Sequence, residues 1–139
     1  MNVRLKYVFF VDRDLGNSFC RKLNENGIEA KKHSDFFRDD TADKVWLREV
    51  GKKGWFVLTR DKKIRSRQDE RAAVEKNNVG LFAIVGKSTF DELAENFIAT
   101  IQKVKKFIDK NPRPFIAKVY RPQSPKSKKI GEVKMWVDL

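Results

Sequence analysis

Apolar residues occur in three uninterrupted runs, each bounded by charged or turn-forming residues. The runs cover Tyr7 to Val11, Trp55 to Leu58 and Leu81 to Val85. Continuous apolar runs predict strands buried on both faces, as in a parallel sheet covered by helices. A weaker, more charged pattern at Ile28 to Lys32 predicts a short strand near the edge of that sheet.

Between the runs, apolar residues recur at the three- and four-residue intervals of amphipathic helices. The predicted helices cover Leu15 to Asn26, a segment from Asp40 or Thr41 to Gly54, Gln68 to Asn77, and a long segment from Ser88 to the break at Asn111 to Pro114. Alternating strands and helices predict an α/β fold with three layers, α/β/α, around a central, mostly parallel sheet.

The C-terminal segment departs from this alternation. Phe115 to Tyr120 predicts a further strand, and the basic stretch from Arg121 to Lys129 contains no core-forming residues. Ile130 to Val137 again has strand character, so it could form a hairpin, join the sheet of a second copy in a homodimer, or stay mobile. The predicted division is one domain over 1–121 and a basic linker with a strand-like tail over 122–139.

Composition limits the classes of function. The chain has 139 residues, the size of one domain, and a formal net charge of +12. Such a charge attracts polyanions, nucleic acid first of all, although lysine-rich surfaces also serve solubility. A lone Cys20 excludes an internal disulfide, and no apolar run approaches the length of a membrane span. A cytoplasmic protein without membrane contact is the expectation.

Three acids are predicted to meet at one edge of the sheet. Asp12 follows the first apolar run, and Asp61 follows the second. Asp43 lies in the first turn of its helix, three and four residues before Trp46 and Leu47, so it shares their inward face. Each acid also has a structural interpretation: a helix cap for Asp12, a first-turn acid for Asp43 and a turn residue for Asp61.

Converging carboxylates repel one another unless they are protonated or bind cations. Oxygen ligands favour Mg²⁺ or Mn²⁺, either of which can activate a water molecule for attack on a phosphodiester. Asp14 and Asp40 are candidates for further metal ligands, and Thr59 for a hydroxyl that orients a carboxylate. The predicted RNA-binding cations are Arg13, Lys62, Lys63, Arg65 and Arg67, which flank the acids in the sequence.

Two other interpretations remain open at this point. The pattern Asp12-Arg13-Asp14 after a strand also resembles phosphatases in which the first Asp is a nucleophile, although no later acidic pair follows Val85. A basic α/β domain could instead be an RNA-binding module that performs no chemistry. His33, the only histidine, is expected at the sheet edge rather than as a general base.

Three segments together resemble a known family, the PIN-like domains of VapC-type toxins. They are Phe9 to Gly16, Asp40 to Gly51 and Gly54 to Arg65, and the resemblance extends over residues 7–121. It implies a PIN-like α/β/α fold and a toxin of a type II toxin–antitoxin pair that cleaves RNA with Mg²⁺ or Mn²⁺. It also implies a small antitoxin partner and places Asp12, Asp43 and Asp61 at the acidic positions.

The sequence departs from the family pattern at the middle acid and at a fourth acid. The middle acid is Asp43, where PIN domains typically have Glu, and the fourth acid is not fixed by the pattern. Asp14, Asp40 and Asp69 are the candidates for that fourth position. The resemblance gives no account of the tail after Arg121.

Overall fold

The computed structural model describes residues 6–61, 63–64, 67–122, 130–137 and 139. Six strands form one sheet: β1 (Val8–Val11), β2 (Glu29–Lys32), β3 (Phe56–Thr59), β4 (Gly80–Ile84), β5 (Phe115–Tyr120) and β6 (Glu132–Val137). Their order in the sheet is β2-β1-β3-β4-β5-β6, and all neighbours are parallel except β5 and β6. The predicted mostly parallel sheet is confirmed, and β2 lies at its edge as expected.

Four helices cover the two faces of the sheet: α1 (Gly16–Glu25), α2 (Asp43–Lys53), α3 (Gln68–Lys76) and α4 (Phe90–Lys110). Helix α1 packs on α4 over one face, and α2 packs on α3 over the other. Two apolar clusters, one on each face, form the core. The three-layer α/β/α architecture is therefore confirmed.

The core packing explains why the apolar runs are uninterrupted. Phe9 and Phe10 are adjacent in β1, and both are fully buried on opposite faces of the sheet. Phe9 meets Phe97 of α4 edge-on at 5.4 Å between ring centroids, while Phe10 lies 5.4 Å from the Trp46 ring of α2. Both faces of the strand thus need large apolar side chains.

Three predicted helix starts are wrong by one to three residues. Arg13–Leu15 form a short 3-10 turn, so α1 begins at Gly16 rather than Leu15. Ala42, without a capping side chain, precedes α2, and Asp40 and Thr41 lie outside it. Thr89 rather than Ser88 caps α4, because its Oγ1 accepts a hydrogen bond from the Glu92 amide at 3.2 Å.

The tail folds back on its own chain. Strand β6 pairs antiparallel with β5, with Val119 opposite Val133, so the hairpin is the alternative that the structure adopts. The Gly131 amide donates to Thr100 Oγ1 of α4 at 2.9 Å, which anchors the start of β6. Most of the predicted basic linker falls on 123–129, outside the described residues.

The longest helix, α4, is amphipathic rather than apolar throughout. Its buried residues recur on one side, and charged residues cover the other. Among the described residues, no helix combines the length and the hydropathy that crossing a membrane requires.

Candidate metal and nucleic-acid site

Asp12 lies directly after β1, at the carboxyl edge of the parallel sheet. Its Oδ1 accepts a hydrogen bond from the Arg13 amide at 2.8 Å, and its Oδ2 contacts Thr59 Oγ1 at 3.0 Å. Burial, followed by the charge of Asp14, raises the pKa of Asp12 to about 7 from an ordinary value of 3.8. Ionised Asp12 is therefore costly at neutral pH without a nearby cation.

The Thr59 hydroxyl, at the end of β3, connects three acids. It contacts Asp14 Oδ2 at 2.9 Å as well as Asp12 Oδ2, and it accepts a hydrogen bond from the Asp61 amide at 3.1 Å. One hydroxyl supplies one proton, so it cannot donate fully to both carboxylates. Thr59 therefore lies where its hydroxyl contacts the carboxylates whose orientation it is predicted to fix.

Asp14 is held beside Asp12 by the backbone of the neighbouring strand. Both of its carboxylate oxygens lie within hydrogen-bond distance of the Arg60 amide, at 3.1 and 3.0 Å. Burial raises the pKa of Asp14 above its ordinary value, against the opposing effect of these hydrogen bonds. Asp12 and Asp14 therefore form a close carboxylate pair on the two sides of one hydroxyl.

Asp43 and Asp61 approach the same cavity from two further elements. Asp43 begins α2, where its Oδ1 accepts from Trp46 Nε1 at 2.9 Å. Asp61 follows β3, and its Oδ1 accepts from the Lys63 amide at 2.8 Å. Both acids line a cavity of about 430 Å³ whose walls are Asp12, Arg13, Asp14, Asp43, Asp61 and Arg67. The structure thus brings the three predicted acids to one cavity.

Glu70, in the first turn of α3, is an acid that the sequence analysis missed. Its pKa is raised, first by burial and then by the nearby carboxylate of Asp43. Its Oε2 is buried and has no hydrogen-bond partner in the described part of the chain. Glu70 precedes the buried Ala73 and Val74 by three and four residues, so the spacing argument applied to Asp43 could have found it.

The other candidates for a fourth acid lie elsewhere. Asp40 is not among the residues that line the cavity; its side chain is 73% exposed and pairs with Arg38 at 3.3 Å. Asp69 is exposed and lines two surface hollows, one shared with Arg67 and Glu70 and the other beside Lys44 and Lys76; it is not part of the cavity wall. Of the acids proposed as further ligands, only Asp14 shares the cavity with Asp12.

Two of the predicted RNA-binding arginines instead contact the acids. Arg67 Nη1 lies 3.0 Å from Asp61 Oδ2 and 3.2 Å from Glu70 Oε1. Arg13 Nη2 lies 3.7 Å from Asp43 Oδ1, and its Nε lies 4.0 Å from Asp12 Oδ1. Lys63 follows Asp61 within the described residues, whereas Lys62 and Arg65 lie outside them. The guanidinium groups partly offset the repulsion among the carboxylates.

His33 follows the edge strand β2, as expected, and is almost fully buried. Its ring lies among those of Phe10, Phe37 and Trp46, at centroid distances of 5.8, 5.6 and 5.9 Å. Burial lowers its pKa, and neither ring nitrogen has a hydrogen-bond partner among the described residues. His33 is therefore a neutral packing residue.

The acids converge on one cavity but do not yet form a compact ligand set. No group of three or more His, Cys, Asp or Glu side chains is already arranged to hold a metal ion within the described ranges. The donor set nevertheless fits a hard divalent cation, since it consists of carboxylate oxygens, including the buried Glu70 Oε2, and the pKa values of Asp12 and Asp14 are raised.

A family model described as a PIN-like domain matches residues 7–86 of the chain. No curated protein and no solved structure matches it. The matched segment contains β1 to β4 and all five acids that gather near the cavity. Together, the extent of this match and the mostly parallel three-layer fold show that the chain belongs to the PIN-like domain family.

Proposed function

We propose that this protein is a metal-dependent endoribonuclease that hydrolyses RNA phosphodiester bonds. A PIN-like domain is in general a nuclease-type fold. The observation that carries the proposal is the convergence of Asp12, Asp14, Asp43 and Asp61 on one cavity of a strongly basic chain. The carboxylates attract a cation locally, while the net charge of +12 on the whole chain attracts a polyanion such as RNA.

Asp12, Asp14, Asp43 and Asp61, which line the cavity, would hold a Mg²⁺ or Mn²⁺ ion, and Glu70, close to Asp43, could add a further carboxylate. When bound, such an ion supplies an acidified water and charge stabilisation for phosphodiester hydrolysis. The Thr59 hydroxyl fixes the orientation of Asp12 and Asp14 through its two short contacts.

The arginines of the cavity have a second task in this proposal. Arg13 and Arg67 line the cavity beside the acids, so each can bind a phosphate oxygen of RNA. When the acids hold the cation, each guanidinium can leave its carboxylate and pair with a phosphate. The positive charge of the arginine then remains paired with a negative charge. The backbone amides of Arg13 and Arg60 keep Asp12 and Asp14 in place during that exchange.

We also propose that the nuclease is the toxin of a type II toxin–antitoxin pair, with a small antitoxin as its partner. The sequence resemblance to VapC-type toxins supports this finer assignment. An antitoxin that covers the acidic cavity would block access of RNA to Asp12, Asp43 and Asp61.

The test is an RNA cleavage assay with Mn²⁺ or Mg²⁺, with and without chelator. We expect cleavage by the wild-type protein that chelator abolishes, and a loss of roughly a hundredfold or more in Asp12→Asn and Asp61→Asn. Asp40→Asn, whose side chain lies on the outer surface, is the matched control and should cleave at the wild-type rate.

Two outcomes would replace the nuclease proposal. RNA binding that is insensitive to chelator, without cleavage, would favour a non-catalytic RNA-binding module. Trapping of a phosphoaspartate at Asp12 would favour a phosphatase in which that carboxylate is the nucleophile.

A further inference from the structure

The end of the sheet formed by β5 and β6 carries a group of aromatic and basic side chains that we name the aromatic–lysine patch. It consists of Lys118, Tyr120, Lys134 and Trp136. Lys118 is two residues after Ile116, which belongs to the core under α2 and α3, so both residues lie on the same face of the sheet. The patch continues that face beyond the helices.

The lysines of the patch are held over aromatic rings. Lys118 Nζ lies 4.1 Å from the ring centroid of Trp136 and 6.0 Å from that of Tyr120. Lys134 Nζ lies 5.9 Å from the ring centroid of Tyr120. Such cation–π contacts restrict the lysines while leaving their ammonium groups able to bind anions.

The two lysines also stand directly opposite each other, because Lys118 of β5 pairs with Lys134 of β6. Like charges at directly opposed positions destabilise a sheet. Within the described part of the chain, neither lysine forms a salt bridge with an acid. Glu132, on the same strand as Lys134, pairs instead with Lys103 of α4 at 2.7 Å. An anion from outside the chain would relieve this repulsion.

We infer that the aromatic–lysine patch binds single-stranded RNA, with phosphates on Lys118 and Lys134 and bases against the half-exposed rings of Tyr120 and Trp136. This inference rests on the proposed function, since the RNA would run from the patch to the acidic cavity. The carboxyl ends of β3 and β5 lie at the same edge of the sheet with β4 between them. Two strand spacings, about 10 Å, therefore separate the strand that carries Asp61 from the strand that carries Tyr120.

The experiment measures binding of a short fluorescein-labelled single-stranded RNA by fluorescence anisotropy, in chelator to prevent cleavage and over a series of salt concentrations. The double variant Lys118→Gln, Lys134→Gln is compared with Lys106→Gln, Lys110→Gln. The control pair lies at exposed positions of α4, on the opposite face of the sheet, and removes the same charge.

For single strands, each phosphate contact contributes about −0.7 to the slope of log affinity against log salt. The patch variant should therefore lose about 1.4 units of slope, equivalent to about a 25-fold loss of affinity at about 0.1 M salt. The control double variant should keep most of the wild-type salt slope and most of the wild-type affinity. Equal losses in the two double variants would show that only net charge matters and would overturn the inference.

Tryptophan fluorescence supplies a second readout that does not depend on lysine substitution. RNA binding should quench the wild-type emission, and Trp136→Phe should remove most of that quenching. Polyglutamate serves as the competing anion. If polyglutamate quenches the Trp136 emission and RNA does not, the patch is a protein-docking surface and the inference fails. Because no cleavage is measured, failure of the nuclease proposal would be seen separately.

Discussion

Replacing Asp12 by Asn should stabilise the protein at neutral pH when divalent cations are absent. Asp12 has a pKa of about 7 in the folded protein and an ordinary value of 3.8, so the folded state binds its proton more tightly. The free energy of unfolding of the wild-type protein should therefore fall as pH rises from about 4 to about 7. An amide has no charge to bury and escapes this loss.

The hydrogen bonds of the site can survive this substitution. The side-chain oxygen of the introduced asparagine can accept from the Arg13 amide, and its NH₂ group can donate to Thr59 Oγ1. The Thr59 proton is then free for Asp14 alone, which removes the conflict between the two carboxylates. Asparagine thus suits the local geometry better than an ionised aspartate.

The magnitude follows from the pKa difference. About three pH units at about 1.36 kcal/mol each set a ceiling of about 4 kcal/mol for the cost of ionising Asp12. Relaxation around the charge reduces this, so we expect Asp12→Asn to gain about 2 kcal/mol at about pH 8, or about 8 °C in Tm. At about pH 4.5 the gain should fall to about 1 kcal/mol, because folded Asp12 keeps its proton there and only the unfolded chain, with its ordinary pKa of 3.8, is stabilised by ionisation of the wild-type residue.

Urea unfolding in chelator, at about pH 4.5 and about pH 8, measures this difference. Asp40→Asn is the matched control, since its exposed side chain should leave the free energy of unfolding unchanged at both pH values. A variant no more stable than the wild type at the higher pH, or equally stabilised at both pH values, would refute the reasoning.

Three further predictions concern side chains that line the cavity or contact its acids. Glu70→Gln should weaken Mn²⁺ affinity about tenfold in calorimetric titration while Asp69→Asn leaves it unchanged, because Glu70 is close to Asp43 and Asp61 and has a buried Oε2, whereas Asp69 is exposed. Thr59→Val should lower the free energy of unfolding by about 1–2 kcal/mol, and Thr59→Ser should not, because serine keeps the hydroxyl between the two carboxylates; equal losses in both variants would contradict this. Arg67→Gln should destabilise the protein in chelator, and Mn²⁺ should restore its Tm, since a cation replaces the lost charge beside Asp61; a destabilised variant that Mn²⁺ does not rescue would exclude this compensation.

The fold was largely predictable because burial on both faces leaves a direct pattern in the sequence. The runs that became β1, β3 and β4 have no charged residue that would indicate an exposed face. The position of β6 was not predictable, because strand-forming residues do not specify their pairing partner. Its antiparallel pairing is accompanied by a hydrogen bond between Gly131 and Thr100, which are distant in sequence.

The candidate site was predictable only in part. Strand ends determine where Asp12 and Asp61 emerge, so their approach to one edge follows from a parallel sheet. The spacing of Glu70 before the buried Ala73 and Val74 does indicate its inward face. The contacts of Arg67 depend on how the start of α3 returns toward Asp61, which local spacing does not specify. The sequence analysis consequently assigned Arg67 to RNA alone, whereas its guanidinium contacts both Asp61 and Glu70.

The most direct test of a cation site in this cavity is to measure Mn²⁺ binding through the electron paramagnetic resonance signal of the free ion. We expect saturable binding to the wild-type protein and to Asp40→Asn, and loss of binding in Asp12→Asn, Asp43→Asn and Asp61→Asn. Wild-type protein that leaves the free-ion signal unchanged, or acid variants that bind Mn²⁺ as the wild type does, would contradict a cation site in this cavity.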